Sequence, residues 1–458
     1  PHTVRGARKM RKVTLAKTVQ ACALASFLMV GTASAAWAAE PDYVAAIRAD
    51  YQKDLGALWD HFHRTPELST QETETAARMA KELRATGAEV TEGVGGTGVV
   101  ALIRNGNGPV VLLRADMDGL PVKEMSGLPN ASTATQVWKA DGVTYPVMHA
   151  CGHDVHITAM VATVRQLQRL KSRWKGTVVV VIQPAEERLL GAKAMIDDGL
   201  YTRFPKPNYA LAFHVNSLLP TGTVSASESI QYSSSDAIDI HVHGVGTHGA
   251  APHLGKDPVY IGSQIVQALQ GLISRERAPL KPGVITVGAF HAGSKHNIIS
   301  DRADLQVTVR ANDEEARAEL VKGVKRVAEN IGRVNGMPED KLPKVSVIEG
   351  TPTTINDAGL ARRLNTAIGK ALGPQAVIPF EQGTMGAEDF AYFIHPAHGV
   401  KGYYFSVGGT SKAKLEAAKA GGPAVAPHHS PLFKIEPEPS VITGASAMTA
   451  AVLELMKR

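Results

Sequence analysis

The chain has 458 residues, of which 44% are hydrophobic and 20% charged, with a formal net charge of +6 and two cysteines. That length exceeds one ordinary domain and buries a large core without staples, and the composition excludes wholesale disorder. Two cysteines exclude a disulfide framework, and no apolar run of about 18–20 residues follows the first forty, which argues against a multi-span membrane protein.

The positive charge is concentrated at the N-terminus. Residues 1–39 hold Arg5, Arg8, Lys9, Arg11, Lys12 and Lys17 and no Asp or Glu, then an apolar run over 19–30 and small-residue sites at Ala33-Ser34-Ala35 and Ala36-Trp37-Ala38. A basic region, a short apolar region and an A-x-A site make a secretory signal peptide, so the expected location is periplasmic or secreted. The alternative is an uncleaved anchor, for which the run is short. Without those six residues Lys plus Arg falls from 49 to 43, equal to the 43 Asp plus Glu. The mature chain is then formally neutral, with no stable membrane span, and nucleic acid drops out as a partner. Cys151 is left with nothing to pair with inside the chain.

The spacing predicts helices over 42–63 and 71–86, the second with Ala76, Met79, Ala80 and Leu83 on one face and Gly87 as its stop. Residues 93–98 fit G-x-G-x-x-G but run into an apolar strand at 99–103, whereas a dinucleotide fingerprint needs a helix there, so they read as a turn. Three later segments share a design. Residues 110–113 lead into Arg114-Ala115-Asp116-Met117-Asp118, residues 178–182 into Gln183-Pro184-Ala185-Glu186-Glu187, and residues 209–213 into His214. Strands apolar on both faces belong to buried, mainly parallel sheets. Open α/β sheets build their sites where such strands end. A crossover helix fits 157–170.

Near residue 225 the pattern changes. An alternating strand at 236–243 is followed by a helix at 257–275, strands at 283–291 and 302–310, a helix at 313–331 and a strand at 343–349. That β-α-β-β-α-β order is ferredoxin-like. The expected architecture is therefore an α/β chain with a mainly parallel-sheet unit over 40–225 and 351–458, interrupted by a ferredoxin-like α+β unit over 226–350.

The densest chemistry is His149-Ala150-Cys151-Gly152-His153-Asp154-Val155-His156. Thiolate, imidazole and carboxylate are the ligand types of zinc and similar ions. A lone Cys-x-His is weak evidence, and Glu186-Glu187 alone could be a solvated helix start. Together with His214 at a third strand end they offer four ligands and a spare carboxylate, as metal-assisted hydrolysis needs. A cysteine nucleophile at Cys151, or a non-catalytic metal-binding protein, stays open on the residues alone.

These strings resemble the M20 family of metallopeptidases and amidohydrolases, nearest its aminoacylase-like branch of hippurate and auxin-conjugate hydrolases. The matching strings are HFHRTPELSTQE (61–72), RADMDGLP (114–121), MHACGHDVH (148–156), QPAEE (183–187), AFHV (212–215), GTHGAAPH (246–253), HNIISD (296–301), GAEDF (386–390) and HHSPLF (428–433). The resemblance implies a zinc-peptidase-type fold in which the 40–225 and 351–458 unit is the catalytic domain and the 226–350 unit a lid or dimerisation domain. It also implies two divalent metal ions, zinc by ligand type with manganese, cobalt or nickel able to serve, held by Cys151, His153, Glu187, His214 and His429. Cys151 would bridge them, and His428 is the alternative to His429. Asp116 and Asp118 would support the ligands, with Asp154 either capping a helix or supporting His153. Glu186 would be the general base. From the lid, His248 would reach the substrate carbonyl, often across a homodimer or higher homo-oligomer, and Asn297 and Arg310 would hold a substrate carboxylate.

The implied reaction is hydrolysis of an N-acyl amino acid, with a dipeptidase or carboxypeptidase as the alternative. Two departures stand out. Ser300 replaces the usual proline, and residues 126–146, with Trp138 and Tyr145, are longer than the usual link. That loop is expected to shape the pocket and favour an aromatic or apolar acyl group.

Overall fold

Buried valines set the centre of the fold. In Gly176–Gln183 every residue but Thr177 is buried, and in Val110–Asp116 every residue but Val110. Strands apolar on both faces need cover on both sides. The structure is a computed structural model and describes residues 41–458. The export segment expected over 1–39 lies outside the described residues.

Gly176–Gln183, Val110–Asp116, Tyr209–Pro220 and Lys401–Thr410 run parallel in that order at the middle of an eight-stranded sheet. Antiparallel edges flank them. Glu89–Val94 and Gly98–Asn105 form a hairpin beside Gly176–Gln183, and the 93–98 glycine segment supplies its turn. Val224–Ser225 and then Val377–Ile378 close the other side. One sheet face packs Val111, Leu113, Val178 and Val180 against helices that include Thr73–Ala85, His153–Arg169 and Pro437–Met456. The opposite face packs Leu112, Val179 and Val181 against Met195, Phe390 and Phe393.

Pro437–Met456 is long and apolar enough to cross a bilayer, with a mean hydropathy of 1.3 over its most apolar 18 residues, but 83% of that stretch is buried inside the protein. It is a core helix, rich in small residues that let it lie close to the sheet.

The second sheet orders Gly283–Ala292, Arg302–Ala311, Ser235–His243 and Lys344–Thr351, all antiparallel. Helices Pro258–Gly271 and Glu314–Val334 cover one face through Ile238, Ile240, Val242, Leu305 and Val307. Both start at aspartate caps. Asp257 accepts from the Val259 and Tyr260 amides, ahead of Pro258 at the first helical position, and Asp313 accepts from the Ala316 amide.

Helix Gly191–Asp197 begins so close to the segment after Gly176–Gln183 that a Cβ at residue 191 would stand 1.6 Å from the Pro184 carbonyl oxygen. Gly191→Ala is therefore expected to destabilise by about 1–3 kcal/mol, the cost of overpacking. Gly271→Ala, where a Cβ meets nothing within 4 Å, is expected to stabilise by about 0.4–1 kcal/mol. Urea midpoints of the two variants check both signs.

Candidate metal centre

The parallel strands deliver their C-terminal ends to one place. Asp116 ends its strand and Asp118 lies just beyond; Glu186 and Glu187 follow Gly176–Gln183; His214 sits within Tyr209–Pro220. Cys151 and His153 flank Gly152, whose φ of +81 and close approach to Val215 (2.4 Å for a notional Cβ) admit no side chain. Three non-glycine residues here also occupy the left-handed region, Ala185 at φ +49, Leu189 at φ +54 and His429 at φ +66. Each costs of order 1 kcal/mol or more and persists only where surrounding structure holds it. At Ala185 the holders are buried carboxylates. Glu72 accepts the Ala185 amide (2.8 Å), and Asp118 accepts the Glu187 amide (3.0 Å).

Cys151 Sγ lies 3.3 Å from His214 Nε2 and 3.4 Å from His429 Nε2, which is itself 3.2 Å from Glu187 Oε2. His153 Nε2 lies 3.7 Å from Glu187 Oε1 and 3.8 Å from Glu186 Oε2. Hydrogen bonds at the far nitrogens assign the tautomers. His153 Nδ1 donates to the Asp118 carbonyl (2.8 Å) and His214 Nδ1 to the Val215 carbonyl (2.7 Å), so each turns an Nε2 lone pair toward the cluster. Fixing a ligand histidine through its other nitrogen is the usual support of a metal site.

His156 is different. Its Nε2 accepts the Val215 amide (2.9 Å) and its Nδ1 donates to Asp116 (2.5 Å), leaving no free lone pair. His428 Nε2 accepts the Ser217 amide (3.3 Å), so its Nδ1 carries the hydrogen facing Cys151 Sγ (3.6 Å). Both histidines reach the thiol; the Ser217 amide already occupies His428 Nε2, whereas His429 Nε2 also faces Glu187.

The cluster is oversupplied with acid. Burial, then the neighbouring Glu388 and Glu187 carboxylates, push the Glu186 carboxyl well above its ordinary value. Burial, then Glu187 and Glu186, push the Cys151 thiol up. His153 Nε2 and Glu187 Oε1 are buried without a hydrogen-bond partner although they face each other. Orphaned buried lone pairs beside a thiol, imidazoles and carboxylates fit a divalent cation, which reverses the local acid–base balance and deprotonates a coordinating thiol.

Arg114, Glu388, Asp389 and His63 were given no role from sequence. Arg114, fully buried, donates to Asp116 (2.6 Å), Glu388 (2.6 Å), Asp389 (3.3 Å) and Gln183 (2.7 Å). Asp154 neither caps the helix nor supports His153. It lies inside helix His153–Arg169 and pairs with His63 Nδ1 (2.8 Å), whose Nε2 faces Glu124 (3.3 Å). Burial opposes charge on His63, but those two carboxylates outweigh it and raise its pKa to about 10.

The structure does not bring the three lid residues to this cluster. His248 lies exposed on a two-residue strand beside Asn297, whose carbonyl accepts the Gly249 amide (2.8 Å). Arg310 Nε donates to Thr308 Oγ1 (3.1 Å). No hydrogen bond or ion pair joins any of them to Cys151 and its neighbours among the described residues. The 126–146 loop does reach the centre. Its short hairpin, Thr135–Val137 with Thr144–Pro146, walls a cavity of about 430 Å³ lined by Leu68, Leu120, Trp138, Tyr145, Glu187 and Arg188.

Residues 112–425 match the family model of peptidase family M20/M25/M40. The chain is 35% identical to thermostable carboxypeptidase 2 of Saccharolobus solfataricus over 82% of this chain and 88% of that one. It is 34% identical to the hippurate hydrolase of Campylobacter jejuni over 75% of this chain and 86% of that one. The solved structure of Bacillus subtilis YxeP, described as a dinuclear metal-binding peptidase of the M20 family, superposes with a TM-score of 0.70 at 26% identity, covering 90% of this chain and 99% of that one. With a matched model spanning most of its length and the strand-end cluster in place, the chain belongs to the M20 peptidase family and is a metal-dependent hydrolase of amide bonds.

Proposed function

We propose that the protein is an exported amidohydrolase that cleaves the acyl–nitrogen bond of N-acyl amino acids. In this reading Cys151, His153, Glu187, His214 and His429 would hold two divalent ions, zinc by ligand type. The observation that carries it is convergent: imidazole nitrogens, a thiol and Glu187 face one point, and the Glu186 carboxyl stands beside them with no hydrogen bond among the described residues. The N-terminal signal pattern supports export.

Bound ions would supply an acidified water and a polarised carbonyl. Glu186, beside the cluster, would take the proton from that water and return it to the leaving amine nitrogen. Asp118 fixes His153 and the Glu187 backbone together, and Asp116 holds His156 against the strand carrying His214. His248 is assigned to hydrogen-bond the developing oxyanion, and Asn297 and Arg310 to hold the substrate carboxylate. These contacts require this lid, or that of a second copy, to meet the cluster.

A dipeptidase or carboxypeptidase is the second reading, favoured by the likeness to a carboxypeptidase. A cysteine nucleophile is disfavoured, because reactive cysteines sit where the thiolate is stabilised, whereas burial and acid neighbours push Cys151 up.

On metal-loaded protein, N-acyl amino acids are expected to be cleaved faster than free dipeptides. Glu186→Gln is expected to lower kcat at least ~100-fold with unchanged circular dichroism; near-normal turnover contradicts the assignment. Chelation is expected to abolish activity and added zinc, manganese, cobalt or nickel to restore it. Turnover that survives chelation would favour the thiol nucleophile instead.

A further inference from the structure

The turn that aims Glu186 and Glu187 inward sends a third side chain outward. The Leu189 amide donates to the Glu186 carbonyl (2.7 Å), and Leu189 has φ +54, so the chain reverses sharply over four residues. Glu187 faces His153 and His429. The next residue, Arg188, leaves on the cavity side, its guanidinium carbon 4.9 Å from the centre of the Trp138 ring.

Trp138 is firmly placed. Its amide donates to the Val143 carbonyl and its carbonyl accepts from Gly142, both at 2.8 Å. Gln71 ties the arm to the body through the Val137 carbonyl and the Lys139 amide, both at 2.9 Å. Arg188 makes no hydrogen bond or ion pair among the described residues, and its side chain is exposed. The guanidinium carbon stands over the Trp138 ring, and both residues line a cavity whose lining also holds Leu120, Pro121 and the ligand candidate Glu187.

We propose that Arg188, laid on Trp138, is the residue that selects the acyl group, its open face stacking on a planar π-bonded acyl group set beside Glu187. The inference rests on the N-acyl amino acid reading and deepens it. A guanidinium is flat and weakly hydrated and stacks on aromatic faces, which the compact, strongly hydrated ammonium of lysine does not do in the same way. An acyl group carrying its own carboxylate would also be drawn to an unpaired cation. Asp141 lines the same cavity and opposes it, its carboxylate already accepting from Tyr145 Oη and the Val143 amide. Selection here is by flatness rather than by charge.

The test is kcat/KM for N-benzoylglycine, N-acetylglycine and N-succinylglycine with the metal-loaded wild type and with Arg188→Lys, Arg188→Met and Trp138→Ala. Arg188 is exposed, so its variants are expected to fold. The benzoyl-to-acetyl ratio should fall about tenfold in all three variants, the scale of one cation–π contact, and the succinyl substrate should be the poorest for the wild type. An unchanged ratio in the Arg188 variants overturns the inference, as does Arg188→Lys keeping the ratio that Arg188→Met loses, or succinylglycine being cleaved best. A wild type that cleaves none of the three removes the underlying reading and the inference with it. Cleavage with an unchanged ratio removes only the inference.

Discussion

One buried guanidinium makes the acidic centre possible. Arg114 lies within the central parallel strands with no solvent contact and spreads its donors over Asp116, Glu388, Asp389 and Gln183. Removing one partner from such a buried pair costs about 3–5 kcal/mol because the other charge is stranded. Asp116 in turn holds His156, which accepts the Val215 amide next to His214. The order therefore runs outward from Arg114, through carboxylates and a backbone amide, to a candidate metal ligand. Glu388 is shared further, accepting the Tyr404 hydroxyl (2.6 Å) and the Phe390 amide (3.0 Å). The chain that follows the second sheet is thereby fixed to a strand that precedes it.

The same logic explains why nearly identical side chains do different work. His153 and His156 are one helical turn apart and both fully buried. His153 spends one nitrogen on a carbonyl and keeps a lone pair; His156 spends both nitrogens on protein partners. The same difference separates His214 from His428. Arg114 donates to Asp116, Glu388 and Asp389 but not to Glu186, Glu187 or Cys151, which are left facing one another and the imidazoles.

Much of the frame was legible in the sequence because it follows from local pattern. Valine runs apolar on both faces marked the buried strands, and their carboxylate or histidine ends marked the site. The glycine segment at 93–98 read as a turn because a strand followed it, and it forms the hairpin turn. What stayed hidden depends on partners far along the chain. Arg114 meets Glu388 across 274 positions, and Asp154 meets His63 across 91. No local spacing announces either pair. Pro437–Met456 has no amphipathic signature because almost every side of it is buried. Arg188 looks like an ordinary loop charge until Trp138, brought in by the 126–146 loop, is seen against it.

The central claim is that strand-end acid, thiol and fixed imidazole lone pairs form a site for a pair of divalent ions. The most direct measurement is calorimetric titration of the metal-free chain with zinc, on the wild type and on Cys151→Ala. The account predicts two ions per wild-type chain with release of protons, as thiol and carboxyl give way to metal, and loss of at least one tight site in the variant. Binding of no zinc, or a stoichiometry and affinity unaffected by Cys151→Ala, would contradict it.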